Sequence, residues 1–265
     1  MHMDPNKLVK RSVQAWFITA ALGTWIFAFY IIFYYGPSGL FGNWEKWNET
    51  MPHGHETGDP MNNVAMVMHM ILAVIILVGG PFQFIDHIRK KWGRFHRWNG
   101  RTYVISGLLL GVNGIFIVLY KGTISGMLGD ISMSLNAILI ILFASFTWNK
   151  AIEKDFNAHR KWSIRLFLVM SGVWFFRIGL MFWLLVNDGN PVWFDMESFS
   201  GPFLTGLGFG QYIGPLLIAE IYFLAESRKP SWIKIPFALF MFGITAITLV
   251  GIFAATVGLW LPRLQ

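Results

Sequence analysis

Seven long apolar runs recur along the chain, separated by short polar segments, near residues 13–35, 63–85, 102–120, 128–148, 163–186, 203–225 and 235–259. Each is close to the roughly 20 residues a helix needs to cross a bilayer. The pattern predicts an all-α integral membrane protein with seven transmembrane helices, a single bundle domain over residues 1–265, and a four-helix core made by the second to fifth spans. The first run, from Val13 to Tyr35, is too long for the apolar part of a cleavable signal and has no small-residue cleavage site, so it reads as a retained span.

The basic residues set the expected orientation. Lys7, Lys10 and Arg11 precede the first span. Arg89, Lys90, Lys91, Arg94, Arg97 and Arg101 lie between the second and third, and Lys150, Lys154, Arg160, Lys161 and Arg165 between the fourth and fifth. Arg228, Lys229 and Lys234 lie between the sixth and seventh. Of the 21 lysines and arginines, only Lys46, Lys121 and Arg263 fall on the other side, and Arg177 falls inside a span. The positive-inside rule then puts the N-terminus in the cytoplasm and the C-terminus outside. The outer side is mildly acidic, and its longer segments, 36–62 and 187–202, are rich in Gly, Pro, Trp and Asn, as expected of loops folding over the outer mouth. Tryptophans at span ends, such as Trp92, Trp98, Trp162 and Trp193, read as the interfacial aromatic belt.

Composition agrees. The chain is 55% apolar and 13% charged, against about 25% charged in a soluble domain. Its net charge of +7 is held in the inter-span connections, so it points to orientation and not to nucleic acid. Zero cysteines exclude disulfides, thiolate metal sites and thiol chemistry. No nucleotide-binding motif, hydrolase triad or zinc-protease motif is present.

Polar groups inside a bilayer are costly and are the first functional candidates. His96-Arg97-Trp98-Asn99-Gly100-Arg101 opens the third span and His159-Arg160-Lys161-Trp162-Ser163-Ile164-Arg165 opens the fifth. Both histidines enter outward-running helices and should share a depth. One reading makes His96 and His159 the axial ligands of a b-type haem near the cytoplasmic surface, with Arg97, Arg101, Arg160 and Arg165 neutralising its propionates. A second joins the histidines to Asp86, His87 or Asp155 around a divalent metal such as zinc. A third is structural, with arginines gripping lipid headgroups and no cofactor at all.

The outer half offers His69, Arg177, Asn113 and Asp130, with Asn136 mid-membrane. His69 and Arg177 are expected in one layer, with Asp130 as the counter-ion of Arg177, forming an outer electron- or substrate-handling site or a cluster that locks packing. Met61, Met66, Met68, His69 and Met70 with His53 and His55 offer thioether and imidazole ligands for copper, although methionine is also an ordinary packing residue. Glu220 reads as a proton carrier or an interfacial residue. Gly107 and Gly111 form a small-xxx-small pair suited to close helix contact, and Pro81 and Pro215 are expected to bend their helices. Third and fifth spans also align weakly, Arg101 on Arg165 and Asn113 on Arg177.

The pattern His69, Gly79-Gly80-Pro81-Phe82-Gln83-Phe84, His96-Arg97-x-x-Gly100-Arg101-x-Tyr103, His159-Arg160-x-Trp162-x-Ile164-Arg165 and Arg177 resembles a bacterial family of integral membrane proteins of unknown function, over about residues 65–180. More distantly, the chain is similar to the b-type dihaem cytochromes that reduce ferric iron or recycle ascorbate, a resemblance that implies His69 and His96 as haem ligands. Those proteins carry four histidines on four core helices. This chain has one histidine well inside a span, so the pattern supports a single haem, held by His96 and His159.

The expectation is a multi-pass bacterial inner-membrane protein embedded in the lipid bilayer. It is a membrane oxidoreductase with one haem b, taking electrons from a quinol or another redox protein. The alternatives are a carrier or channel for a small molecule or ion, and a non-catalytic accessory subunit.

Overall fold

A computed structural model describes residues 4–51, 53–227 and 231–265. Ten helices follow one another among these residues. Helix α1 is Pro5–Leu40, α2 Pro60–Phe82, α3 Asp86–Lys91, α4 Gly93–Lys121, α5 Gly126–Ile152, α6 Phe156–Met170, α7 Gly172–Val186, α8 Pro202–Ser227 and α9 Ser231–Ala255. A π-helical turn at Thr256–Trp260 leads to α10, Leu261–Leu264. Six helical stretches are long and apolar enough to cross a membrane, and α6 with α7, bent by 51°, supplies a seventh. Arg228 and Lys229 lie outside the described residues.

Local chemistry sets several helix starts. Asp4 and Asp59 each precede a proline at the first helical position, and each carboxylate accepts a backbone N–H, from Asn6 at 2.9 Å and from Asn62 at 3.0 Å. Asp155 caps α6 by accepting from the Ala158 N–H at 3.0 Å. Pro81 ends α2 instead of bending it, since the helix stops one residue later.

Along α1, Ile18, Leu22, Ile26, Phe29 and Phe33 are exposed at spacings of three and four, which makes one apolar stripe facing outward. Comparable exposed apolar residues on α4, α5, α8 and α9 complete a surface suited to lipid. In such a setting helices associate through close packing more than through exclusion of water. Glycines mark the close approaches. A Cβ on Gly111 would lie 2.7 Å from Ile141 Cγ1 and 3.1 Å from the Ala137 carbonyl, and one on Gly107 would lie 3.0 Å from Met170 Cε. The expected close contact of this glycine pair is therefore present, against both α5 and α6.

The fifth span is the axis of the bundle. Leu166, Val169 and Trp174 have almost no exposed surface, and α6–α7 packs against α5, α8 and α9. Phe167 meets Phe84 and Phe17 from the second and first spans at centroid distances of 5.3 and 6.4 Å. Spans two to five pack in succession and share a buried cluster of Ile76, Tyr103, Val104, Ile140, Ala144, Leu166 and Val169, but a second core lies beside it. The buried cluster of Phe27, Tyr30, Ile178, Ile252, Ala255 and Trp260 draws equally on the first and last helices. The reason is steric: a bent central rod needs neighbours on every side, and α1, α8 and α9 supply the half that α2, α4 and α5 leave open.

At Gly251 in α9 a Cβ would lie 2.8 Å from the carbonyl oxygen of Ile178, a backbone atom that cannot swing aside. Gly251→Ala is expected to separate α7 from α9 at a cost of about 1–3 kcal/mol, read as a lower thermal midpoint of the detergent-solubilised protein.

Candidate functional site

The N-terminus, the turn after α2 and the turn before α6 share one end of the bundle, the basic face, where Lys234 Nζ also ties α9 to Asn6 Oδ1 at 2.6 Å. A cleft of about 1230 Å³ opens there. It is walled by all seven spans and reaches from Lys10, Arg97, Glu226 and Lys234 to Leu166, Met241 and Thr248. Lys234 to Thr248 is 14 residues of helix, a depth of about 21 Å.

The sequence motifs build one wall of this cleft. Asn99 Nδ2 donates to the Gly79 carbonyl at 2.8 Å. A Cβ on Gly79 would lie 2.9 Å from Asn99 Oδ1, one on Gly80 2.9 Å from Tyr103 Cε2, and one on Gly100 3.1 Å from Gln83 Oε1. The glycines of α2 admit Asn99 and Tyr103 of α4, and the glycine of α4 admits Gln83 in return. His96 sits on this wall and His159 on the α6 side, both lining the cleft. Helices α4 and α6 each pack on α5 and meet near the middle of the bundle, where Met170 reaches Gly107, and the cleft opens between them toward the basic face.

His159 Nδ1 lies 2.9 Å from the Thr147 carbonyl. A carbonyl only accepts, so Nδ1 carries the proton and Nε2 is left with its lone pair. His96 Nδ1 is buried with no hydrogen-bond partner, as are Gln83 Nε2, the Tyr103 hydroxyl and Thr147 Oγ1, and all four residues line the cleft. Arg97 and Arg101 line it as well; Arg101 lies over the Trp98 ring at 5.2 Å, and among the described residues no acidic side chain pairs with either.

The other two arginines proposed for propionates are already paired, Arg160 with two residues that line the cleft beside it and Arg165 outside it. Arg160 forks onto Glu226 at 2.8 and 3.0 Å and onto the Tyr222 hydroxyl at 2.7 Å. Arg165 forks onto Glu220 at 2.6 and 2.9 Å and covers the Trp162 ring at 4.5 Å. Both clamp the fifth span to α8, which also gives Glu220 a fixed structural partner. Asp86 pairs with Arg89 at 2.7 Å, His87 meets the Trp92 ring edge-on, and Asp155 caps α6. Among the described residues no three His, Asp or Glu side chains gather as metal ligands. The divalent-metal grouping is thus not assembled.

In the opposite half, His69, Asn113 and Arg177 do come together. Asn113 Nδ2 donates to the Ala65 carbonyl at 3.0 Å and lies 3.5 Å from His69 Nδ1, and Arg177 is within electrostatic reach of His69. Arg177 lies 5.1 Å over the Phe27 ring. Asp130 is not its counter-ion: that carboxylate accepts from the Thr123 N–H at 2.6 Å in the α4–α5 turn. Asp130 sits in the first turns of α5, whereas Arg177 lies mid-way along α7, so their depths differ. The copper grouping is also dispersed. His53 pairs with Glu56, His55 stacks on Trp44, Met66 is buried, and Met61 and Met68 are exposed.

On that face Lys121 bridges Glu56 at 2.6 Å and Asp59 at 2.8 Å, pinning the 41–59 loop to the end of α4. Lys121 is the main cause holding both carboxyls below the usual carboxylate range. A depressed folded pKa stabilises above the ordinary value of about 4 and is lost as pH falls through the depressed range. Hydrogen exchange of the loop, corrected for intrinsic rate, is expected to rise on acidification, and Lys121→Met should raise it at neutral pH.

Residues 66–192 match the model of a family described as a predicted membrane protein, DUF2306. The matched segment is a little under half of the chain. It holds every motif residue from His69 to Arg177, whereas Glu220 and Glu226, the partners of the second motif's arginines, lie beyond it. No curated protein and no solved structure matches the chain.

Two features of the site escaped sequence reasoning. The unpartnered Gln83, Tyr103 and Thr147 come from three spans; Gln83 and Tyr103 stood in the sequence pattern without a role, and Thr147 had no signal. The break at Ser171 lies inside an unbroken apolar run, and its only signal is the Ser-Gly pair, a known site of kinks.

Proposed function

We propose that the protein is a membrane redox protein holding one b-type haem in the cleft, with His96 and His159 as axial ligands. The observation that carries this reading is one wall-to-wall set of unmatched groups. His159 has a bare Nε2, His96 has a buried and unpartnered Nδ1, and Gln83, Tyr103 and Thr147 add polar atoms without partners beside them. When bound, haem supplies a metal that takes up and releases single electrons. The chain's own residues do the rest. The Thr147 carbonyl fixes the His159 tautomer and makes its Nε2 a better ligand, the usual role of an outer hydrogen bond at a metal-binding histidine. Arg97 and Arg101 meet the anionic edge of the group, and Val104, Leu166 and Phe167 keep water from its apolar faces. Arg160 and Arg165 serve the fold instead.

The donor in this proposal is a quinol or another redox protein reaching the basic face, and the His69–Asn113–Arg177 layer serves an acceptor at the other. The basic face is cytoplasmic in a bacterial inner membrane, by the positive-inside rule. The cysteine-free chain makes that easy to test. Single cysteines at Lys90 and Lys154 should both label from the cytoplasmic side, and labelling from opposite sides would refute the topology. The haem itself is tested by visible spectra of detergent-purified protein from haem-replete cells. Split α and β bands on reduction are expected; a colourless, folded preparation would end the reading.

A further inference from the structure

The fifth span is broken in the middle of the bundle, and buried amide side chains close on its break. Ser171 Oγ donates back to the Phe167 carbonyl at 2.8 Å, a bond that tends to bend helices, and Gly172 follows it. A Cβ on Gly172 would lie 3.1 Å from Asn136 Nδ2 and 3.5 Å from Gln211 Oε1, so the amides of α5 and α8 close on this one glycine. Gly208, one turn before Gln211 on α8, is equally close to Ser132, one turn before Asn136 on α5, at 3.3 Å from Oγ. Ser132, Asn136, Gln211 and Tyr212 are only 2, 6, 2 and 2% exposed. Among the described residues Asn136 Oδ1 and Gln211 Oε1 have no hydrogen-bond partner, and the hydroxyls of Ser132 and Tyr212 have none beyond one another. Gln211 Nε2 donates to the Gly208 carbonyl at 2.8 Å, which fixes the oxygen as the bare end of that amide.

We propose that the break in the fifth span binds a monovalent metal cation, held by the oxygens of Asn136, Gln211, Ser132 and Tyr212 near the middle of the bilayer. These four side chains are neutral, and each offers an oxygen: two amide carbonyls and two hydroxyls. Neutral oxygen cages suit a single positive charge, as filters lined by carbonyls do. A divalent ion would keep most of its charge uncompensated in a low dielectric. The C-terminal end of α6 adds the negative pole of a half-helix at the break, the arrangement by which discontinuous membrane helices coordinate sodium or protons. The proposal does not depend on haem: the break lies on the α5–α8 side of the fifth span, and none of these four side chains lines the cleft.

The test is thermal unfolding of the full chain in detergent, prepared in choline chloride and titrated with sodium, potassium or lithium chloride at constant ionic strength. A saturable rise in midpoint with one alkali ion and not with choline is expected. Asn136→Leu and Gln211→Leu should lose the rise, and the lipid-facing Ile138→Ala should keep it. If the leucine variants fail to fold, Asn136→Asp decides the matter. A carboxylate beside a cation should lower the half-saturating concentration about tenfold or more, and no such change would overturn the proposal. Equal midpoints in all four salts would mean that ordered water alone satisfies these oxygens. A rise that survives in both leucine variants would place the ion elsewhere. Either result overturns the proposal, and neither bears on the visible spectrum.

Discussion

His96→Ala and His159→Ala are each expected to abolish the split reduced bands, whereas Arg160→Ala and Arg165→Ala leave them in place. The contrast follows from geometry. The histidines present unmatched nitrogens to one cleft, but the two arginines are spent on Glu226 and Glu220 of α8. Removing either arginine frees a partly exposed carboxylate and loosens the α6–α8 clamp. Such a change belongs in the melting curve, with a modest effect of about 1 kcal/mol or less for pairs this exposed. Arg97→Ala with Arg101→Ala, by contrast, should weaken retention of the cofactor without removing its ligands. Bands lost in Arg160→Ala but kept in His159→Ala would reverse the assignment.

Gly80→Leu is expected to collapse the cleft and with it both stability and colour. A Cβ there would already lie 2.9 Å from Tyr103 Cε2 and 3.4 Å from Phe167 Cδ2, and both rings are buried. Overpacking by a single group costs about 1–3 kcal/mol, and the two rings that must give way line the cleft. The α2–α4 crossing must open, which carries Gln83 away from Gly100 and His96 away from His159. Gly210→Leu is the control, because nothing lies within 4 Å of its Cβ position. It should fold, melt and absorb as the parent does. Midpoints from thermal melts and haem content of the same preparations check both variants.

The contrast between those glycines also indicates how far the sequence could be read. Span number and approximate span limits are local properties of composition, and the structure has them. That His96 and His159 both face the cleft at the basic end agrees with the helix directions read from the sequence. Partners across the bundle were a different matter. Arg177 was matched to Asp130 because both are charges in spans, yet a few residues of depth separate them, and Asp130 had a nearer use in the Thr123 turn. Arg160 and Arg165 looked like equivalents of Arg97 and Arg101, but α8 brings two glutamates to one pair and none to the other. The break at Ser171 was hidden because apolar content carries no record of a bend. Such facts depend on which helices become neighbours, and that is decided by small residues such as Gly79, Gly80, Gly100 and Gly172.

The most direct test of the account is the iron content and ferric electron paramagnetic resonance of the purified full chain beside its His96→Ala and His159→Ala variants. The account predicts one iron per chain in a low-spin state, as two imidazoles impose, with that signal lost in each variant. A folded parent without iron, or a low-spin signal unchanged in both variants, would contradict it.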